Sequence, residues 1–404
     1  MIDPRHKDTA AFLMRLAKAL HAYGTPSHRL EEALGAVSAS LEIEAQFLAT
    51  PTSIVASLGP EPAQETLLVR VEPGETNLDK LTALHEIMQR VESGELNARR
   101  GRKKIDALLS AAPRYRSATT AIAYALTSGT AAVFFGGGWR EAALSVALGG
   151  LLGLLALFAI HRPRLAALYP ALAAMVAAAS ASFAAAFVSP VSSSITTLAG
   201  IIVLIPGLSL TIAMNELAHR HLVSGTARLT GALITFLQIG LGGATGWKIA
   251  EALIGQQPPA EPLALPATAL WIAGPLAAAS FTVLFRARPV DFWWILFGSM
   301  VAFLTTRSAS QALGPELGAA LGAWALGCLS NLLARWRGKP SSITLVPGLL
   351  MLVPGSFGFR SLQSLIHHDV LAGVETGFSM VLIATSLVTG LFLSNLTVAP
   401  RRLL

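Results

Sequence analysis

The stretch SSITTLAGIIVLIPGLSLTIAMNELAHRHLVSG at residues 193–225 has a counterpart, SSITLVPGLLMLVPGSFGFRSLQSLIHHDVLAG, at residues 341–373. A shift of 148 positions aligns the two without a gap, and 11 of the 33 aligned positions are identical. The identities include a Ser-Ser-Ile-Thr tetrad at the start and a Pro-Gly pair in the middle. Such matches are more specific than the chance similarity of apolar sequence, so we interpret them as an internal repeat.

The chain around this repeat has the composition of a membrane protein. Of its 404 residues, 53% are hydrophobic and 13% are charged, whereas soluble proteins carry about 25% charged residues. The mean hydropathy is +0.58. Thirty of the 53 charged residues lie before position 117, which predicts a soluble head followed by a membrane body. The domains we expect are a cytoplasmic α+β domain at 1–94, a basic juxtamembrane helix at 95–116, a first membrane repeat at 117–255 and a second at 265–404.

Uncharged runs that can cross a bilayer core of about 30 Å predict about ten transmembrane helices, which gives the fold class of a multi-span α-helical membrane protein. Ser189-Pro190 marks a turn between two of them. Five spans fall in each copy of the repeat, and because five is odd, the second copy must cross the membrane in the opposite sense. The predicted spans are 117–138, 142–160, 165–188, 193–215, 226–254, 267–285, 291–306, 313–334, 341–366 and 371–397.

The positive charges of the body indicate its orientation. The head has equal numbers of basic and acidic residues, so the net charge of +7 lies in the body. The excess of basic residues is therefore better explained by the orientation of the protein in the membrane, through the positive-inside rule, than by binding to a nucleic acid. With the amino terminus inside, 11 basic residues fall on the cytoplasmic side and four on the other, so we expect both termini in the cytoplasm of a multi-pass protein of the cell (inner) membrane. The 11 are Arg162, Arg164, Arg220, Arg228, Arg286, Arg288, Arg335, Arg337, Lys339, Arg401 and Arg402; the four are Arg140, Lys248, Arg307 and Arg360.

The head has the pattern of a small α+β domain. Apolar residues at helical spacing predict two helices, which surround the turn Tyr23-Gly24-Thr25-Pro26. Three alternating runs then predict an antiparallel sheet, and a helix follows from Asn77 to Val91. The basic helix after it either attracts anionic lipid or is a solvated linker. The first 30 residues have no apolar core of a signal peptide, so we expect none to be cleaved.

The Pro-Gly pairs point to a binding site. A broken helix in lipid exposes backbone groups that only protein or a water-filled cavity can satisfy, and paired breaks in equivalent spans are typical of substrate sites in secondary transporters. A half-helix that starts after Gly207 would direct its positive dipole end at an anionic group. The alternative is a pair of kinks that serve packing only. The candidate substrate-binding residues are Ser194, Thr196, Pro206, Gly207, Ser209, Thr211, Asn215, Glu216, Ser342, Thr344, Pro354, Gly355, Ser356 and Arg360.

Ionisable residues near the membrane suggest how transport could be coupled. Glu216 or Glu375 could carry a coupling proton, and Arg360 could pair with a substrate carboxylate; interfacial capping is the alternative for each. We expect no metal site, since His219, His221, His367 and His368 have no carboxylate at a ligating spacing. The single Cys328 excludes an intramolecular disulfide. No nucleotide-binding or hydrolase motif occurs, so we expect neither a cofactor nor an enzymatic activity.

The chain resembles the threonine/serine exporter family along nearly its whole length. In the head, the resemblance rests on Tyr23-Gly24-Thr25-Pro26 with Arg29 and Glu31, and on Phe47 with Thr50-Pro51-Thr52-Ser53. In the body it rests on Ile205-Pro206-Gly207, Asn215-Glu216-Leu217, Ser224-Gly225-Thr226-Ala227-Arg228, Leu345-Val346-Pro347-Gly348 and Val353-Pro354-Gly355. The resemblance implies a ten-span antiporter that exports small hydroxy amino acids with the proton motive force. In some relatives the two halves are separate chains that export a C4-dicarboxylate such as succinate.

Three functions therefore stay open at this point. The first is a proton-coupled exporter of threonine and serine with substrate between the fourth and ninth spans. The second is a dicarboxylate exporter, for which Arg228 and Arg360 are the available basic contacts. The third is a membrane-anchored sensor or enzyme that acts through the head. The partners implied are a small-molecule substrate, protons, membrane lipid and a second copy of the chain. Within the head, Arg29 and Glu31 suggest an ion pair between the first two helices or a contact that gates the cytoplasmic mouth.

Overall fold

The computed structural model describes residues 4–72, 74–187, 191–256, 260–352, 354–366 and 368–400. Of these described residues, 76% are helical. The predicted turn at Ser189-Pro190 and the cationic Arg401 and Arg402 lie outside the described residues. The head contains α1 (Pro4–Ala22), α2 (Ser27–Ser40), β1 (Ala45–Ala49), β2 (Ser53–Leu58), β3 (Glu65–Arg70), α3 (Leu78–Glu92) and α4 (Ala98–Ser110).

The three strands form the antiparallel sheet that the alternation predicts, in the order β1-β2-β3. Ala45 pairs with Leu58, and Ser53 pairs with Arg70. The central strand β2 buries every second residue, beginning with Ile54 and Ala56. The buried side chains of the sheet and of the head helices form an α+β core, which continues into Phe281 and Ile295 of the body.

The basic helix α4 packs against the head. Asn97 caps it by accepting a hydrogen bond from Arg100 N at 2.9 Å, and Ile105 is fully buried. A Cβ atom at Gly101 would lie 2.8 Å from the Phe12 ring, so α1 approaches α4 closely. The basic side chains of α4 point away from this contact and are exposed.

The body contains twelve helices and three short 3₁₀ turns within the described residues. The turns are Ile202–Leu204, Ala267–Ala269 and Pro289–Asp291. The helices are α5 (Ser117–Phe134), α6 (Trp139–Ala159), α7 (Pro163–Phe187), α8 (Ser193–Gly200), α9 (Gly207–Ala218), α10 (Leu222–Ile254), α11 (Leu270–Leu284), α12 (Phe292–Leu313), α13 (Pro315–Arg337), α14 (Ser342–Leu350), α15 (Gly355–Ile366) and α16 (Val370–Thr397).

The spans agree with a multi-span helical membrane protein. In the described part of the chain, eight helices or helix pairs are long and apolar enough to cross a bilayer, and nine are if the bent pair α8–α9 counts as one span. The helix at the first predicted span, α5, is not among these nine. Six of its 18 residues are Ser or Thr. It nevertheless packs against the apolar helices α6 and α11.

The internal repeat recurs as a packing contact. A Cβ atom at Gly225 would lie 2.6 Å from the Leu217 side chain, and a Cβ atom at Gly373 would lie 2.6 Å from the Leu365 side chain. These four residues are identical pairs in the sequence alignment. Each half therefore closes the turn after its broken helix by packing a glycine against the leucine eight residues earlier.

The two broken helices run in opposite directions relative to the head. The end of α9 touches the head, because Glu216 accepts a hydrogen bond from Ser27 N at 2.9 Å. The start of α14 lies near the head instead: Lys339 pairs with Asp291 at 2.6 Å, and Arg288, in the same short turn region, pairs with Asp79 of the head at 2.8 Å. The first broken helix therefore runs towards the head and the second away from it, as an inverted repeat requires.

Candidate functional site

The first broken helix consists of α8 and α9, which meet at a bend of 50°. Pro206 has no N–H to continue a helix, and Ile205 before it has an extended backbone (φ −65°, ψ 120°). The carbonyl of Gly200 at the end of α8 accepts a hydrogen bond from Ser128 Oγ of α5 at 3.2 Å. Protein groups thus replace the helical hydrogen bonds that the break removes.

The second broken helix consists of α14 and α15. The break lies between Leu350 and Gly355, and Val353 within it is outside the described residues. The earlier pair Pro347-Gly348 does not interrupt the helix, since Pro347 lies inside α14. A Cβ atom at Gly348 would lie 2.5 Å from the Leu326 side chain, so this glycine permits close packing against α13.

The two breaks touch each other. A Cβ atom at Gly355 would lie 2.4 Å from Ile205 Cγ2 and 3.4 Å from Gly207 Cα. Gly207 and Gly355 are the first residues of α9 and α15, so the amino ends of these helices converge on one point. Each is a 12-residue helix with a partial positive charge at its amino end, and the contact leaves no room for a ligand between them in this conformation.

Most of the predicted hydroxyl groups lie along these four short helices. Thr211 donates to Gly207 O at 3.1 Å, and Thr196 is fully buried with no hydrogen-bond partner for its hydroxyl. Ser194 accepts from Gln363 of α15 at 3.1 Å, which again places the start of one broken helix beside the end of the other. The remaining predicted residues of this group are partly or fully buried, namely Pro206, Ser209, Ser342, Thr344, Pro354 and Ser356.

Asn215 and Glu216 lie at the junction with the head. Glu216 is nine residues after Gly207, about 13 Å along a helix. Its side chain is fully buried; it accepts from Ser27 N, the first amide of α2, and binds Arg228 through two hydrogen bonds of 3.0 and 3.3 Å. Asn215 Nδ2 lies 3.4 Å from His28 Nε2. The structure does not bring these two residues to the breaks.

Histidines of the head and the body stack at this junction. The rings of His28 and His219 are parallel to within 10°, with centroids 4.2 Å apart, and His221 Nδ1 lies 3.7 Å from Glu31 Oε1. Glu31 also accepts from Ala49 N at 2.7 Å. The expected ion pair between Arg29 and Glu31 is wrong, because Arg29 pairs with Glu32 one position further on, at 3.3 Å. His367 lies outside the described residues.

A second junction joins the head to the other half of the body. The first two amides of α3, at Leu78 and Asp79, donate to the carbonyls of Phe285 and Arg286 at 2.9 and 3.2 Å. Arg288 pairs with Asp79 and with Glu86 of the head. Burial alone would raise the pKa of Asp79, but hydrogen bonds from Arg114 and Arg288 outweigh it and hold that pKa below its usual range. The head therefore bridges the two repeats.

Two buried carboxylates were not singled out from the sequence. Glu141 accepts from Gly138 N and Ser192 N, both at 2.9 Å, and Asp291 pairs with Lys339. Each carboxylate lies at the start of the second helix of its repeat. Each binds a residue just before the broken helix of that repeat, which is Ser192 for Glu141 and Lys339 for Asp291. A single acidic residue at the edge of an apolar run is the only sequence signal for either of them.

The other ionisable candidates are exposed. Arg360 of α15 and Glu375 of α16 are both exposed. Among the residues that the structure describes, no group of three His, Cys, Asp or Glu side chains could hold a metal ion.

The junction at His28 predicts a pH dependence of stability. Burial, followed by the nearby charges of His219 and Arg29, lowers the pKa of His28 to about 3. A histidine in the unfolded chain binds a proton below about pH 6.5, so the stabilisation is complete above that pH and is lost as the pH falls towards 3. We expect the melting temperature to fall between pH 7 and pH 5.5, and to fall less in His28→Gln. An equal fall of the melting temperature in the unmodified protein and in His28→Gln would contradict this expectation.

The fold and the site define a class: a multi-span helical membrane protein with two broken helices that meet. Residues 11–250 match the family model described as "Putative threonine/serine exporter", and residues 270–397 match the one described as "Threonine/Serine exporter, ThrE". The chain therefore belongs to the threonine/serine exporter family, with both halves in one polypeptide.

Curated relatives occur in yeasts. The chain is 27% identical over 419 residues to "Pheromone-regulated membrane protein 10" of Saccharomyces cerevisiae, covering 96% of the chain and 54% of the relative. It is 28% identical over 425 residues to the protein of that name in Candida glabrata, covering 96% and 53%. The chain thus spans about half the length of these relatives. No solved structure matches it significantly.

Proposed function

We propose that the protein is a secondary active exporter of threonine and serine that binds its substrate between the two breaks. The observation that carries the proposal is the contact of Gly355 with Ile205 and Gly207. Two helix breaks from oppositely directed repeats meet there, which is the arrangement typical of substrate sites in such transporters. Membership of the exporter family agrees with this function.

The converging helix ends suit an amino acid. Helix amino ends stabilise negative charge, so the first-turn amides of α9 and α15 would bind the substrate carboxylate. Ser209 and Ser356 lie in these first turns and can exchange hydrogen bonds with the hydroxyl and ammonium groups of threonine or serine. The remaining contacts we assign are Pro206, Gly207, Thr211, Pro354 and Gly355.

Transport requires the breaks to separate. Because they are in contact here, substrate can enter only when one repeat moves relative to the other, and the inverted repeats supply two equivalent open states. We assign proton coupling to Glu375, since the carboxylate of Glu216 is occupied by Arg228 and Ser27. The positive charges on the head side favour a cytoplasmic head and a location in the cell (inner) membrane.

Counterflow in proteoliposomes tests the function. We expect vesicles loaded with unlabelled threonine to accumulate labelled threonine, serine to compete, and succinate to compete far less. Accumulation should also respond to an imposed pH gradient and lose that response in Glu375→Gln. Succinate counterflow without threonine counterflow would replace the proposal with dicarboxylate export.

The head provides the test against a sensor or enzyme. A protein in which the body is only an anchor would show no counterflow of any of these substrates. Absence of counterflow in the intact protein, with ligand binding confined to the head, would overturn the exporter function.

A further inference from the structure

A small cleft lies on the head side of the membrane body, separate from the two breaks. It is a shallow, partly open depression between α12, the end of α13 and the start of α14. Its lining includes Trp294, Ser330, Arg337, Lys339, Ile343 and Thr344. α13 has 23 residues, about 35 Å of helix, so its last turn lies where the hydrocarbon core of about 30 Å ends.

Arg337 gives the cleft an unneutralised positive charge. Its guanidinium lies 4.9 Å from the centroid of the Trp294 ring and 4.8 Å from that of Trp336, which holds the cation between two indoles. No ion pair joins Arg337 to a carboxylate within the described ranges. The other cation, Lys339, is already paired with Asp291 at 2.6 Å. The cleft therefore attracts an anion at Arg337.

Ser330 adds an unused hydrogen-bond donor deeper in the cleft. It lies two helical turns before Arg337 on the same face of α13 and is 1% exposed. Its hydroxyl is buried and has no hydrogen-bond partner. A buried hydroxyl without a partner is unfavourable, so a ligand group that accepts this hydrogen bond is stabilised in the cleft.

The surroundings of the cleft are those of a lipid. Leu333 and Ile343 line it with apolar surface, and Trp336 is 72% exposed beside it. Tryptophan is enriched at the level of lipid headgroups, and basic pockets between spans bind anionic headgroups. No carboxylate lines the cleft to bind the ammonium group of a zwitterionic lipid.

We propose that this cleft binds an anionic phospholipid from the leaflet on the head side. Arg337 contacts the phosphate, and Ser330 donates to an ester carbonyl below it. The glycerol backbone lies between Trp294 and Thr344, and an acyl chain follows Leu333 and Ile343 out of the cleft. The proposal does not depend on which solute the protein carries.

The test uses the full-length protein, purified in detergent and stripped of lipid. A ligand that binds only the folded state raises the melting temperature, so we compare added phosphatidylglycerol, phosphatidylcholine and glycerol 3-phosphate at equal concentration. Phosphatidylglycerol should raise the melting temperature clearly, phosphatidylcholine less and glycerol 3-phosphate not at all. An equal effect of glycerol 3-phosphate would show a site for soluble phosphate and overturn the lipid assignment.

Variants then place the binding in the cleft. Arg337→Gln should weaken the phosphatidylglycerol affinity at least about tenfold, as expected for loss of a charge-assisted contact, and Ser330→Ala should weaken it by a smaller factor. Arg335→Gln is the matched control, because Arg335 is exposed near the same helix end but does not line the cleft. If Arg337→Gln does not fold, Ser330→Ala decides. Full affinity in the cleft variants, or an equal loss in Arg335→Gln, would overturn the proposal.

Discussion

Replacing Gly355 with valine should reduce threonine counterflow between about fivefold and a hundredfold while the protein still folds. The first added atom would lie 2.4 Å from Ile205 Cγ2, so the closed contact between the breaks cannot form without displacement. Overpacking of this kind costs about 1–3 kcal/mol, and each 1.4 kcal/mol corresponds to a factor of ten. Because the substitution destabilises the conformation in which the two breaks touch, the transport cycle that passes through this conformation becomes slower.

The matched control for Gly355→Val is Gly231→Val. Gly231 lies in α10 with no atom within 4 Å of a Cβ at that position. Flux and melting temperature should therefore stay near those of the unmodified protein. Unchanged flux in Gly355→Val, with the control also unchanged, would show that the contact between the breaks has no part in transport.

Replacing Glu216 with glutamine should strongly lower the melting temperature. The carboxylate is fully buried and its partner Arg228 is mostly buried, and breaking such a pair by removing one member costs about 3–5 kcal/mol. Glu216 also accepts from Ser27 N, where it stabilises the amino end of α2. The loss therefore weakens both the ion pair and the docking of the head.

The double variant Glu216→Gln, Arg228→Met distinguishes a structural role from proton coupling. Removing both charges should recover much of the melting temperature, and threonine flux should return with it. Glu375→Gln serves as the stability control, since Glu375 is exposed. If the double variant is stable but cannot respond to a pH gradient, Glu216 carries the coupling proton and our assignment to Glu375 is wrong.

The head contacts the membrane body on one side only, so the two sides of the body differ although its two halves are repeats. On the head side, α2 docks on the first repeat through Glu216, and α3 docks on the second through the Arg286 carbonyl and the Arg288 side chain. Among the described residues, the opposite side has instead the small tether of Glu141 to Ser192. In the transport cycle that we propose, opening towards the head would therefore have to change at least one of the two junctions.

The features that depend on local pattern could be predicted from the sequence. Strand alternation placed the sheet that contains Ile54, and proline chemistry placed the breaks beside Gly207 and Gly355. Proline alone does not decide a break, however, because Pro347 lies inside α14. The repeat could be recognised in the sequence because its two copies share residues that make the same contact, a glycine packed against a leucine eight residues earlier.

The features that depend on distant contacts could not be predicted. Asn215 and Glu216 follow the first break by only two to three turns, which suggested a substrate role, but the docking of Ser27 nearly 190 positions away decides their environment. Arg29 selects Glu32 rather than Glu31 because Glu31 is engaged by Ala49 and approached by His221. No spacing in the sequence encodes these choices.

Cross-linking the two breaks tests the central claim most directly. In a Cys328→Ser background, the pair Ile205→Cys and Gly355→Cys places two thiols where an added Cβ lies beside residue 205, within the reach of a disulfide, whose Cβ atoms are about 3.5–4.5 Å apart. We predict that mild oxidation forms the bond, measured as loss of both free thiols by mass, and stops threonine counterflow until a reductant restores it. Failure of the bond to form, or undiminished counterflow in the oxidised protein, would contradict a substrate path between the breaks.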